Sequence, residues 1–492
     1  MKKVIVTMLA ASMALGLLAG CKENTEEVST NDTPSSEVAG DAVTNQIFTG
    51  ELEENVTIQV LENDTAISKG YFQELIDAFN KEYAQYGITA VDANMDQYLD
   101  LANDGPYGYG PDVLYQANDV IMKYSEGKHI YPLPVEQLDC YDQVPEDAWK
   151  AYLTDIDGVA YTCGVPVNIQ APMLYYRKDL LPEDWESTWD KDGNQVPDMV
   201  ESWNDLYAFS LARHEEDGSK YGYMKAMNDM YFASGFLFSY GAYIFGNGNT
   251  DTTDIGFAAG EAEKGAHVLQ QLASAMNEDC IDDTITTNAY SRIADGTYFA
   301  TMSTPDMYST FIEELTKVYE AEGLSTEEAE TKAKENLVMT GLPKLPESGD
   351  LTEENPTLKE MVAMGGMNGY AVSAYTKAPN ACLAFVDFAT SYEMEMKRSQ
   401  MLGIAPARGD VAAEAGDVSS ILFARLKNND IVLMPSVEAV SQIWVPGQTF
   451  FIDLAKDAFR LEDERKYKDL DAMKQGLNEM CQQIYDGIHT LQ

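Results

Sequence analysis

The sequence predicts an α/β protein of two lobes, each a mostly parallel sheet flanked by helices. Three observations lead there. The folded part opens on a strand, an amphipathic helix and two further strands, which is a βαβ start. Helical stripes and short strand-like runs then alternate to the end of the chain. Residues 55–492 number about 440, more than one hydrophobic core usually serves, so two lobes are expected.

Each element carries its own signal. "NVTIQVLEND" (55–64) is a strand pattern that ends in polar residues. From Tyr71 to Tyr86, the residues Phe72, Leu75, Ile76, Phe79 and Tyr83 fall on one helical face, and Gly87 stands where a C-cap belongs. "ITAVDANM" (88–95) resumes as a strand, and "GPDVLYQAND" (110–119) is another, entered through Gly110-Pro111. Further helices are predicted over Ala262–Met276, over Asn380–Leu402 with Gly403 as the stop, and over Leu470–Ile488. "TYFATM" (297–302) and "NGYAVSA" (368–374) are the strand-like pieces between them. No internal repeat and no coiled-coil heptad interrupts this pattern.

The N-terminus sets the location. Lys2 and Lys3 precede an uncharged run of apolar and small residues, Val4–Leu18, which is the form of a secretory signal over residues 1–20. The run is too short for a comfortable membrane span. Its ending, Leu18-Ala19-Gly20-Cys21, resembles the lipobox of bacterial lipoproteins. That resemblance implies cleavage before Cys21, lipidation of its thiol, and a protein anchored on the outer face of the cell membrane. Residues 21–54 are acidic and poor in large apolar side chains, so they are expected to form a flexible linker.

Composition narrows the function. The formal net charge of −48 argues against nucleic acid and disfavours a strongly anionic ligand. Besides Cys21 there are five cysteines, Cys140, Cys163, Cys280, Cys382 and Cys481, an odd number that cannot all pair internally and whose spacings fit no zinc pattern. There is no Gly-x-Ser-x-Gly elbow, no His-Glu-x-x-His helix and no Walker loop.

Several segments in order resemble the extracellular solute-binding proteins of the maltose-binding type, which serve ABC importers. They are "GPDVLYQAND", "DGVAYTCGVPVNIQAPMLYYRKDLLPEDW" (157–185), "ADGTYFATMSTP" (294–305), "NGYAVSAYTKAPNACLAFVDFATSYE" (368–393), "GIAPARGDV" (403–411) and "MPSVEAVSQIWVPG" (434–447). The resemblance spans nearly all of residues 55–492. It implies the type II periplasmic-binding-protein-like fold with the ligand cleft at the hinge. The N-terminal lobe would take 55–166 plus about 341–392, and the C-terminal lobe 167–340 plus about 393–492. It further implies a monomer that captures a carbohydrate, an oligosaccharide or maltodextrin-like chain, and delivers it to permease subunits. No catalytic residue and no cofactor are expected.

A neutral sugar presents hydroxyls at its rim and C–H faces above and below, so its site needs carboxylates and amides around aromatic rings. Positions matching the family pattern are Glu62, Asn63 and Asp64 after the first strand; Gln116, Asn118 and Asp119 at the end of "VLYQAND"; Gln170 after the Gly-Val-Pro crossover; Tyr231 and Phe232; Asp306; and Trp444. Trp444 is the expected stacking platform and Asp119 the expected hydroxyl acceptor. A helical Trp is also commonly core, and an Asp after a strand is commonly a cap. Gln116 and Asp306 stand where aromatics would be expected and Gln170 where a carboxylate would be, so the site is more polar than a maltodextrin cleft.

Two alternatives stay open at this level. One is an exported carbohydrate-active hydrolase, since 81 acidic residues leave room for a carboxylate pair. The other is a binding lipoprotein for a peptide or polyamine. Separately, "WDKDGNQVPDMVESW" (189–203) puts Asp190, Asp192, Asn194, Val196, Asp198 and Glu201 at positions 1, 3, 5, 7, 9 and 12 of a Ca²⁺ loop. Gln195 occupies position 6, where Gly belongs. The loop therefore reads either as a structural Ca²⁺ site or as a bare acidic surface loop.

Overall fold

The structure is a computed structural model that describes residues 44–490 except 97–98, 157–158, 282–283 and 436. The expected signal peptide, Cys21 and most of the expected linker lie outside the described residues. Among the described residues no helix is long and apolar enough to cross a membrane.

The chain first lays down β1 (Thr57–Leu61), β2 (Thr89–Asp92), β3 (Val113–Ala117) and β4 (Val165–Gln170). It then crosses to a second sheet and forms β5 (Met173–Arg177), β6 (Tyr221–Tyr223), β7 (Tyr298–Ser303) and β8 (Leu337–Thr340). It returns to the first sheet in β9 (Ala363–Val372), β10 (Ala405–Pro406) and β11 (Ile431–Leu433). The first sheet runs β10–β4–β9–β3–β1–β2 with β11 also paired to β9, and the second runs β8–β5–β7–β6.

The βαβ opening is as the pattern predicts. β1 is parallel to β2, with Ile58 opposite Ala90, and parallel to β3, with Val60 opposite Val113. Between β1 and β2 the helix Tyr71–Glu82 buries Tyr71, Phe72, Leu75, Ile76 and Phe79. Gly87 closes the following turn at φ +69°. β9 is antiparallel to both β3 and β4, since the chain enters it from the other sheet and not through a helical crossover, and it is parallel to β11. All ten residues of β9 are buried, as in a strand covered on both faces. At Gly369 the approach is closest: a Cβ would lie 2.3 Å from Val165 O and 2.6 Å from Tyr152 Oη.

Three details differ from the sequence pattern. The helix expected over Asn380–Leu402 is two helices, Pro379–Ala389 and Tyr392–Leu402. Between them Thr390 Oγ1 donates to Val386 O at 2.8 Å and Ser391 Oγ to Phe388 O at 2.7 Å, so side chains compete with the helical ladder. Residues 167–170, expected in the C-terminal lobe, complete β4 of the first sheet. Residues 393–433, also expected there, belong with the first sheet through β10, β11 and the packing of Tyr392–Leu402 on Tyr71–Glu82. The helices Trp444–Ala458 and Leu470–Thr490 pack beside the helices Met230–Phe238 and Ala262–Ser274, and Met230–Phe238 also packs on β9. Cys140, Cys163, Cys280 and Cys382 are buried, Cys481 is half-buried, and no two of these five are joined by a disulfide.

Candidate functional site

The crossings between the sheets bring four chain segments together. β3 runs straight into the helix Asn118–Glu126, which places Asp119 in its first turn. β7 ends in a 3-10 turn, Pro305–Met307, that holds Asp306. The helix Met230–Phe238 starts at the same place, its Asp229 cap accepting from Tyr231 N at 3.1 Å. Tyr231 Oη donates to Gln170 O at 3.2 Å and so ties this helix to the end of β4 in the first sheet.

The electrostatics show the convergence. Asp119 Oδ1 and Asp306 Oδ1 are both enclosed, and neither has a hydrogen-bond partner among the described residues. Burial raises the pKa of Asp119, opposed by backbone N–H groups at Val120 and Asp119 itself. Burial likewise raises Asp306, opposed by hydrogen bonds from the Thr304 side chain, its own backbone and the Gln170 side chain. The Tyr231 phenol is raised first by burial and then by the charges of Asp306, Asp229 and Asp119. One ring therefore feels carboxylates carried by both sheets. Two acceptors with free lone pairs beside an aromatic ring can take hydroxyl hydrogens from a polyol.

Trp444 opens the helix Trp444–Ala458 and is half-buried. One turn on, Gly447 lies so close to Met230 that a Cβ there would sit 1.9 Å from its Sδ. The start of this helix thus abuts the start of the Tyr231 helix. Gln116 is half-buried in β3, opposite Gly369 of β9.

Other predicted positions do different work. Glu62 is buried, and its carboxylate is taken by Arg398, with Nη1 to Oε1 at 2.7 Å and Nη2 to Oε2 at 3.1 Å. Tyr370 Oη also donates to it. It holds the core of the first sheet and has no lone pair left for a rim. Asn63 is the N-cap of a short helix, accepting from Ala66 N at 2.7 Å, and Asp64 is exposed in that helix's first turn. Asn118 is fully buried: Oδ1 accepts from Met367 N and Nδ2 donates to Met434 O, each at 3.1 Å, so it pins the loop after β11 to β9. Phe232 turns into the second sheet's core, with Tyr223, Phe236, Leu269 and Leu272 around the same small cavity and Lys225 Nζ 3.4 Å above its ring. Its neighbour Tyr231 reaches instead toward Gln170 at the end of β4, because successive helical positions point about 100° apart.

Sequence reasoning missed the phenols around Asp306. Tyr115, Tyr175 and Tyr290 are raised by burial and by Asp306 among their charged neighbours. Tyr175 Oη donates to Thr304 O at 2.8 Å and so positions the turn that carries Asp306. Strand alternation at Tyr175-Tyr176 does send one ring to each face, which was a usable signal. Nothing in the sequence links Tyr290 to Asp306.

The acidic loop is closed by its own hydrogen bonds. Gln195 takes the left-handed conformation that position 6 requires, at φ +67°, and its N–H donates to Asp190 Oδ2 at 3.1 Å. Asn194 Nδ2 donates to both Glu201 oxygens, at 3.0 and 3.1 Å, and to Asp192 Oδ2 at 3.2 Å. Asp190 Oδ1 is buried without a partner. Among the described residues no three acidic, histidine or cysteine side chains gather closely enough to hold a metal.

Known proteins resemble this arrangement as a whole. The chain is 24% identical over 467 residues to the galactooligosaccharide-binding protein of Bacillus subtilis, covering 91% of each. It is 23% identical over 390 residues to a maltooligosaccharide ABC transporter solute-binding lipoprotein of Streptococcus pneumoniae, covering 78% of this chain and 81% of that one. In three dimensions it matches MalX from Streptococcus pneumoniae in complex with maltopentaose at a TM-score of 0.65 and 19% identity, covering 88% of this chain and 100% of that one. It matches the maltose-binding periplasmic protein MalE from Listeria monocytogenes in complex with maltose at 0.64 and 20%, covering 88% and 98%. The fold is therefore the two-lobed α/β fold of those proteins. Residues 74–421 match the model of the bacterial extracellular solute-binding proteins, and the chain belongs to that family.

Proposed function

We propose that this protein is a lipid-anchored, extracytoplasmic receptor that captures a neutral oligosaccharide between its two sheets and passes it to an ABC importer. One observation carries the ligand class: Asp119 and Asp306, borne by different sheets, each hold a buried oxygen without a partner among the described residues, and the charges of both act on Tyr231. A buried acceptor left without a hydrogen costs free energy, and a hydroxyl-rich ligand supplies that hydrogen. The names of the relatives support the same class, since they bind galactooligosaccharides and maltooligosaccharides. Trp444 would stack on a sugar face, and Gln170 and Gln116 would contact its rim. Cys21 would carry the lipid. The lobes, one on each sheet, would close on the ligand because the closed form alone makes both sets of contacts.

The test is a thermal-shift series with maltooligosaccharides, galactooligosaccharides, spermidine and short peptides. A ligand of the native state raises Tm once it exceeds its Kd. The expected result is a shift with one oligosaccharide series, lost in Trp444→Ala, with no product released from the sugar. A shift with spermidine or a peptide alone would discard the carbohydrate.

A structural Ca²⁺ in the loop 190–201 is proposed alongside. The left-handed Gln195 and the open Asp190 Oδ1 support it, and the Asn194 amide would have to give up its bonds to Asp192 and Glu201. The ion would clamp the loop and take no part in sugar capture.

A further inference from the structure

Outside the cleft, the largest aromatic exposure among the described residues lies at the other end of β3. Tyr107 and Tyr109 are 80% and 70% exposed. They alternate with glycines in "GPYGYG" (105–110), the segment that leads into β3, whose far end carries Asp119. The two ends of a five-residue strand are roughly 16 Å apart, so this feature is separate from the cleft.

The segment is built and not loose. Gly105–Tyr107 is a 3-10 turn closed by Gly108, at φ +79°, with Gly108 N donating to Gly105 O at 2.9 Å and Tyr109 N to Asp104 O at 3.1 Å. Its backbone rests on the ring of Tyr375: a Cβ on Gly105 would lie 2.3 Å from Tyr375 Cε2. Tyr375 is fixed in turn by His129 Nδ1, 2.6 Å from its hydroxyl. A third, partly exposed ring thus floors the same place.

Beside the turn runs a groove of about 330 Å³ lined by Tyr375, Gln59, Thr57, Thr376, Asp112 and Lys377, with the turn's glycines as one wall. The lining carries one carboxylate, Asp112, and one ammonium, Lys377, so the groove offers no excess charge to an ionic ligand. It does offer hydroxyls, an amide and an aromatic floor. Large apolar rings held in water by a hydrogen-bonded turn mark a binding surface, and tyrosine supplies flat contact area at low entropy cost. Neutral rings, neutral polar groups and an open groove together match a chain of sugar rings.

We propose that the Tyr107–Tyr109 turn and the Tyr375 groove form a second carbohydrate-binding site, one that grips a neutral glycan chain outside the cleft. Such a site would hold the receptor near a polymer whose fragments the cleft collects. It is independent of which sugar the cleft takes.

The test uses the full chain in affinity gels containing soluble starch, β-1,4-galactan or neither. Wild type is expected to be retarded in one polysaccharide. The cleft double variant Asp119→Asn/Asp306→Asn keeps that retardation. Tyr107→Ala/Tyr109→Ala weakens it at least tenfold at unchanged Tm, and Tyr107→Phe/Tyr109→Phe, which keeps the rings, restores it. Retardation in neither polysaccharide overturns the proposal, as does equal retardation of the alanine pair and wild type. Tyrosine-dependent binding to phosphatidylcholine vesicles in place of glycan also overturns it and assigns the surface to the membrane. If the cleft variant still takes up short oligosaccharides as wild type does, the cleft reading fails while this one stands.

Discussion

Replacing Asp306 by Asn should weaken sugar capture and leave the empty protein no less stable. Asp306 Oδ1 is enclosed and unpartnered, and burial raises the carboxyl above the usual carboxylate range. The amide has the same shape and no charge. A hydrogen bond to a charged acceptor is worth about 1.5–3 kcal/mol and to a neutral one about 0.5–1.5, so the substitution removes roughly 1–2 kcal/mol of binding. At 1.36 kcal/mol per decade this is roughly a 5- to 30-fold rise in Kd. The empty protein gains, because a raised folded-state pKa means stability that is full below the unfolded carboxyl's pKa and is lost as pH rises through the folded one. The variant lacks that loss. Titration calorimetry with whichever oligosaccharide shifts Tm gives the first number, and melts at pH 5 and 8 give the second. Wild-type binding also falls as the pH is lowered through the raised Asp306 pKa, since a protonated acid no longer accepts in the same way, and the variant lacks this dependence. Equal Kd and an equal pH profile in variant and wild type would refute the reasoning.

Four further outcomes are expected. Tyr231→Phe removes the hydrogen bond to Gln170 O and costs about 1 kcal/mol of stability by urea denaturation, with the ring's contact to ligand retained. Arg398→Met strands the buried Glu62 charge and costs about 3–5 kcal/mol, whereas Glu62→Gln with Arg398→Met recovers most of it; a mild single variant would contradict the ion pair's placement. Glu395 is fully buried, neither of its oxygens has a hydrogen-bond partner among the described residues, and burial pushes it up to about 8. Its stabilising contribution is complete below pH about 4.5 and falls by ~1.4 kcal/mol per pH unit up to about 8, so Glu395→Gln should flatten the pH dependence of urea midpoints over that window. Ca²⁺ should raise Tm in wild type and not in Asp190→Asn, and an unchanged wild-type Tm dismisses the metal.

The sequence made the outline of the fold legible because local pattern governs it. The 3.6 period of Phe72, Leu75, Ile76 and Phe79 needs only its neighbours, and the helix forms as read. The direction of β9 was not legible, because it depends on which sheet the chain had just left. The same limit acted on the candidate site. Asp119 follows its strand directly and could be placed by counting, while Glu62 looks identical in sequence, a polar residue ending a strand. What separates them is Arg398, 336 residues away, which takes one carboxylate into the core and leaves the other open. Phe232 and Tyr231 differ by one helical step, and that step sends one ring into the core and the other toward Gln170.

An unsatisfied buried acid does not by itself mark a binding site. Glu395 has two free oxygens against one each on Asp119 and Asp306, yet the charges that perturb it, Arg398, Arg408, Glu62 and Asp410, are not those around the cleft. Asp119 and Asp306 differ because one ring, Tyr231, feels both, although the chain carries them on different sheets. A ligand that satisfies only one of them gains one hydrogen bond and leaves the lobes free. A ligand long enough to satisfy both would couple its own binding to the proposed closure, since the closed form alone would offer the pair. The proposed closure predicts that affinity rises at the chain length that first contacts both carboxylates and is flat beyond it.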